Sequence, residues 1–209
     1  MPSLQNEESV TLYRSRRLIL KEYDCAERFA AKAAEAGWPS AGELPAEPST
    51  GTPRRSSWEL ASGTFVTLFQ VPERRLAYVA VLSMLGREAA AHLLSLPLAS
   101  LELAGLEVWT DEELIGAVSA ASDPDEHAAA LIRAGLGAPG EIAEPWVRAF
   151  FAAVRHPSEE VRTAGIEAIM YAGWPRFAEL LRAMAKEDPS RSIRKLAKRN
   201  ASVLEARAV

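Results

Sequence analysis

The chain has 209 residues, a formal net charge of −4 and 48% hydrophobic content, enough to bury a core in one domain or two small ones and too apolar for wholesale disorder. No window approaches the roughly 18 uninterrupted apolar residues of a membrane span. The first ten residues, MPSLQNEESV, lack the basic and apolar regions of a secretion signal, so a cytoplasmic protein is expected. Cys25 is the single cysteine, which excludes an internal disulfide and a thiolate zinc cage.

Early in the chain the texture is mixed. Thr11–Leu20 and Ser56–Leu60 are candidate strands, and Cys25–Ala36 is a candidate helix with Phe29, Ala33 and Ala36 along one side. Residues 37–57, rich in Gly, Pro and Ser, read as a mobile loop. Two runs rich in β-branched and aromatic residues, Thr64–Val71 and Leu76–Leu82, flank Pro72-Glu73-Arg74-Arg75 and predict an antiparallel β-hairpin. Both runs are apolar on both faces and need a cover, either the helix at 25–36 or the first helices that follow. Residues 1–84 are therefore expected to form a small α+β unit. Arg87–Leu96 predicts a helix, whereas the next stretch to Trp109 suits a helix or a strand-like connector and is a candidate degenerate capping repeat. The boundary is placed near Leu85.

Beyond it the chain repeats. Pro124, Pro157 and Pro189 lie 33 and 32 positions apart, each joining two helix-compatible segments. Proline is tolerated in a helix's first turn, and Asp123 and Asp188 can cap the amides there. Aligned on the proline, Ala128, Val161 and Ile193 coincide, then Leu131, Ala164 and Leu196, then Ile132, Gly165 and Ala197, the spacing of a buried helical stripe. Small residues at those positions permit close packing. The preceding segments, DEELIGAVSAAS, IAEPWVRAFFAAVR and PRFAELLRAMAKE, complete three helix pairs.

Residues 110–205 resemble the HEAT-repeat family, including the short bacterial variety of phycobilisome-lyase-like proteins. The likeness rests on Asp188-Pro189 with Ile193-Arg194 and on His156-Pro157 with Val161-Arg162; Asp123-Pro124 with Ala128-Ala129 lacks the arginine. The resemblance implies a mostly α chain, a short HEAT-like α-solenoid over 85–209 preceded by the α+β unit. It also implies that Arg162 and Arg194 bridge to turn aspartates or nearby carbonyls as structural rungs. It says little of function, since such repeats occur in scaffolds, lyases and nucleic-acid enzymes.

Charge is distributed unevenly: residues 102–145 carry ten acidic side chains and one basic, whereas 189–209 carry six basic and one acidic. Gly135-Leu136-Gly137-Ala138-Pro139-Gly140 has the letters of a dinucleotide fingerprint, yet it ends a helix rather than following a strand, and a helix C-cap accounts for it. His92, His127 and His156 form no ligand pair in sequence, and His156 replaces an aspartate cap. No catalytic, cofactor-binding or metal site is expected, and no cofactor. The leading expectation is a non-enzymatic module that binds another protein through the solenoid face, as scaffold, adaptor or partner-neutralising regulator. The contact residues would be Glu160, Glu167, Tyr171, Trp174, Lys195, Lys198 and Arg199. The alternatives are a HEAT-type enzyme such as a lyase with a pocket between the two units, or nucleic-acid binding through the basic C-terminal helix; no membrane partner is expected.

Overall fold

The computed structural model describes residues 12–206, the side chains of Ser100 and Leu103 excepted. The ten residues read for a leader, and Thr11 at the start of the first candidate strand, lie outside the described residues. The chain divides into two compact units, Met1–Glu107 and Val108–Val209.

The first unit is built on an antiparallel sheet. Its strands are β1 (Tyr13–Arg14), β2 (Leu18–Ile19), β3 (Ser40–Leu44), β4 (Arg54–Ala61), β5 (Thr64–Val71) and β6 (Leu76–Ser83), in the order β1-β6-β5-β4-β3, with β2 also on β6. The expected hairpin is its centre. β5 and β6 pair from Thr64↔Ser83 to Val71↔Leu76, across a short 3₁₀ turn at Pro72–Arg74. Arg75 closes that turn with φ 44°, the left-handed conformation, and its guanidinium lies 5.4 Å over the Tyr23 ring while reaching Asp24 at 2.9 Å. Helix α1 (Ala26–Glu35) buries Phe29 and Ala33, with Phe29 tilted 5.0 Å from Trp58 of β4, so it covers one sheet face as its apolar spacing predicts; Ala36 is exposed.

Residues 37–57 are only in part the loop their composition suggests, since strands take up both sides of a connection at 45–53. Gly37, at φ 74°, ends α1, and Ser40–Leu44 then pairs along β4 from Ser40↔Trp58 to Leu44↔Arg55. Every β3 side chain is exposed. An edge strand with no buried face needs no apolar alternation, and backbone pairing, with an exposed ion pair from Arg54 to Glu43 at 3.2 Å, holds it there.

α2 (Arg87–His92) packs on β6 and β1, and α3 (Ser95–Leu103) packs on α1. The stretch that sequence left open is thus helical to Leu103. Both helices belong with the sheet, which moves the unit boundary from the expected Leu85 to after Glu107. Leu101 and Leu106 are buried in this unit's core, and Lys21 N–H donates to the Glu107 carbonyl at 2.9 Å.

The second unit contains α4 (Asp111–Ala120), α5 (Pro124–Gly137), α6 (Glu144–Ala153), α7 (Glu159–Ala172), α8 (Ala178–Glu187) and α9 (Arg191–Ala206). α4 opens on a reciprocal cap, in which Thr110 Oγ1 accepts from Glu113 N–H and Glu113 Oε2 accepts from Thr110 N–H. α5 opens on Asp123, whose Oδ1 accepts from Glu126 N–H at 2.9 Å, with Pro124 in the first turn where no N–H partner is lost. Consecutive helices pack as α4 on α5, α6 on α7 and α8 on α9, while α7 packs on both α5 and α9. The contact of α5 with α7 is close: a Cβ added to Gly135 would sit 2.4 Å from Ala168 Cα. Gly135 therefore lies inside α5, where it admits a neighbouring backbone, and the C-cap falls at Ala138. Leu131, Phe150, Ile166, Ile169, Phe177, Leu181 and Ile193 fill the interior.

Candidate interaction surface

The proline turns place a chemically distinct set of side chains along one edge of the second unit. His156 Nδ1 accepts from Ser158 N–H at 3.1 Å, and Asp188 Oδ1 accepts from Ser190 N–H at 2.8 Å, so histidine takes the aspartate's place in the turn. Neither caps a helix amide as expected, because α7 and α9 begin at Glu159 and Arg191, two residues beyond their prolines. The following arginines repeat one another too. Arg162 Nη1 donates to the carbonyls of His156 and Pro157 at 3.0 and 2.8 Å, and Arg194 Nη1 donates to those of Asp188 and Pro189 at 2.6 and 3.0 Å. Arg162 also holds Asp188 through Nε and Nη2, joining the two turns.

At the first turn the pattern changes. Ala129 occupies the position of Arg162 and Arg194, and His127 instead meets His156 edge-on, with ring centroids 5.3 Å apart. Burial, then the charge of His156, pushes the His127 imidazole below its ordinary 6.5. Among the described residues no group of three His, Cys, Asp or Glu side chains is arranged to hold a metal ion.

The candidate contact residues separate by exposure. Glu160, Lys195, Lys198 and Arg199 are exposed, Tyr171 is 36% exposed and Glu167 is half-buried. The charge of Asp125, and its hydrogen bond, raise the Glu160 carboxyl above its usual range. Its neighbour Glu159 is held below that range by hydrogen bonds from Ser192 and Ser190, both on Oε1. Trp174 does not belong to a surface. It is 3% exposed, stacked 6.1 Å from Phe177, and its Nε1–H donates to the Pro139 carbonyl at 3.2 Å. Residue type made it a hot-spot candidate, but the left-handed Gly173 at the end of α7 turns the chain inward and delivers the indole to the core.

A feature that residue-by-residue reading passed over lies between α4 and α5. Arg133, the one basic residue of the acidic stretch, stands 5.2 Å over the Trp109 ring. Its solitary sign among ten acids was the available signal.

No protein-family model matches this chain, and no curated protein or solved structure is significantly similar to it. Among the described residues no helix is long and apolar enough to cross a membrane.

Proposed function

We propose that this chain is a non-enzymatic protein-interaction module whose second unit is a short HEAT-like helical solenoid. One helix pair cannot bury its apolar side alone, and stacking pairs gives a continuous core. The turn chemistry supports the repeat reading: the same carbonyl anchoring by arginine recurs at His156-Pro157 and Asp188-Pro189, 32 positions apart.

The observation that carries the interaction reading is the charge order across two packed helices. The exposed side of α7 presents Glu160, Glu167 and Tyr171, and the adjacent α9 presents Lys195, Lys198 and Arg199. A polarised surface with an aromatic at its margin orients an oppositely patterned protein and fixes its register. Phosphate binding favours basic residues along a whole groove, which the acidic α7 edge does not supply.

The test is affinity capture from cytoplasm of the source cells with the wild-type chain and a Tyr171→Ala/Lys195→Glu/Arg199→Glu variant of unchanged melting temperature. A stoichiometric protein retained by the first and lost by the second is the expected result. Recovery of nucleic acid or a small chromophore with no protein would replace the proposal with the matching alternative.

A further inference from the structure

Between residues 102 and 145 the chain carries ten acidic side chains and one arginine, Arg133, which would be expected to sit in an ion pair. It does not. Its guanidinium lies over the Trp109 face, no carboxylate among the described residues pairs with it, and its buried Nε has no hydrogen-bond partner. Burial lowers the guanidinium's pKa, the sign of a charge held partly out of water. The ring face offsets part of that cost, and the unmet N–H remains.

Arg133 stands at one part of a groove of about 380 Å³ whose floor and walls are Ala117, Ala120, Ala121, Ala129 and Ala130, with Glu126 also in its lining. Ala129, at the position that holds arginine after the other two proline turns, forms part of its wall. Its volume is at the small end of the range for ligand sites. Glu126 is committed locally, since its Oε2 accepts from Ser122 N–H at 3.1 Å and Oγ–H at 2.9 Å.

These features select a ligand. A guanidinium edge matches the two oxygens of a carboxylate, and an alanine wall matches a hydrocarbon body. A phosphate dianion would meet one cation and the Glu126 charge, so its desolvation would go uncompensated. A neutral ligand would leave the partly desolvated guanidinium charge unanswered. We propose that the α4–α5 groove binds a small organic monocarboxylate, with its carboxylate on the open edge of Arg133 and its apolar body along the alanines.

Hexanoate is the probe, titrated into the full chain carrying labelled alanine methyls and indole nitrogens and followed by NMR. Hexanamide, hexyl phosphate and a glutamate-bearing alanine-rich helical peptide are run beside it. The proposal expects saturable shifts at Ala117, Ala120, Ala129 and Trp109. Affinity should be at least about tenfold weaker for hexanamide and for the Arg133→Gln variant. Ala120→Leu, at an exposed position, should block the groove with little change in melting temperature. Should Arg133→Gln fail to fold, the hexanamide and Ala120→Leu comparisons still decide. Equal binding of hexanamide, preference for hexyl phosphate, retention in either variant, or no saturation at these positions overturns the proposal. So does peptide binding without hexanoate binding, which would make the groove a protein-docking site.

Discussion

Arg162 on α7 grips Asp188, 26 positions later, with Nε at 2.8 Å and Nη2 at 3.2 Å, and both side chains are nearly excluded from water at 9% and 4% exposure. The arginine spends Nη1 on its own turn and its remaining edge on the next, so one guanidinium ties two helix starts together. Asp188→Ala leaves that charge buried and unanswered and should lower stability by about 3–5 kcal/mol. Arg162→Lys keeps the charge without the fork and should lose a smaller amount. Chemical denaturation of both, with the double variant to close the cycle, measures the coupling; near-additive losses would show that the pair is not a joint.

That joint was legible in sequence because it recurs. Proline, the residue before it and the arginine five positions after it sit at fixed offsets, and the resemblance to HEAT turns implied the arginine contacts. The helix start itself fell at the proline only for Pro124, since α7 and α9 begin two residues beyond Pro157 and Pro189. What was not legible depended on partners elsewhere in the chain. Ser40–Leu44 became a strand because β4 offered a backbone edge, and Trp174 became core because Gly173 turned it inward. The boundary moved for the same reason: α2 packs on the sheet and α3 on α1. The groove beside Arg133 required knowing that no acid among the described residues pairs with that cation, which charge counting does not reveal.

Gly135 and Gly165 should tolerate alanine unequally. At Gly135 the new Cβ would lie 2.4 Å from the Ala168 backbone, which can yield only by moving α7 away from α5. At Gly165 the nearest atom is Ala153 Cβ at 3.0 Å, followed by Val154 Cγ1 at 3.2 Å, so a shift of tenths of an ångström suffices. Gly135→Ala should cost at least about 3 kcal/mol and Gly165→Ala about 1 kcal/mol, after the gain each helix receives from alanine. Equal midpoints in urea would refute the close helix contact.

Cys25 should be a slow thiol. It is fully buried, and burial pushes its pKa up to about 11, against smaller lowering effects of its backbone hydrogen bond and of Arg28. At pH 8 the folded chain should react with a disulfide reagent far more slowly than a free cysteine and should regain the ordinary rate in denaturant. Rapid reaction of the folded protein would contradict the burial of this residue at the α1 start.

Acid should act on the second unit through two groups of opposite sign. The folded chain binds the His127 proton less readily than the unfolded chain, because burial and His156 lower that pKa from 6.5. Its contribution to stability is therefore full above the unfolded value and declines as pH falls from 6.5 toward the lowered one. Glu160 runs the other way. Asp125 raises its carboxyl above 4.5, so the folded state holds that proton more tightly, and the associated stability is present below 4.5 and lost as pH rises through the raised value. Melting temperatures from about pH 7 to pH 4 should show His127→Gln flattening the upper part of the curve and Asp125→Asn the lower part. Unchanged profiles in both variants would remove these groups from the linkage.

Trp174 and Tyr171, three positions apart, should part company when each is cut to alanine. Trp174 fills the core against Phe150 and Phe177 and satisfies the Pro139 carbonyl, so Trp174→Ala should cost about 3–5 kcal/mol of stability. Any loss of binding it causes would follow the unfolded fraction and disappear at lower temperature. Tyr171 is 36% exposed on the side of α7 with Glu160 and Glu167, so Tyr171→Ala should leave most of the stability in place. Under the interaction reading it should still remove partner capture by the folded chain. The discriminating measurement is capture at a temperature where both variants are more than about nine-tenths folded, judged by the ratio of folded to unfolded chain. Capture that survives in Tyr171→Ala but not in Trp174→Ala would place the contact in the core-supported loop near Pro139 and displace α7 as the binding edge.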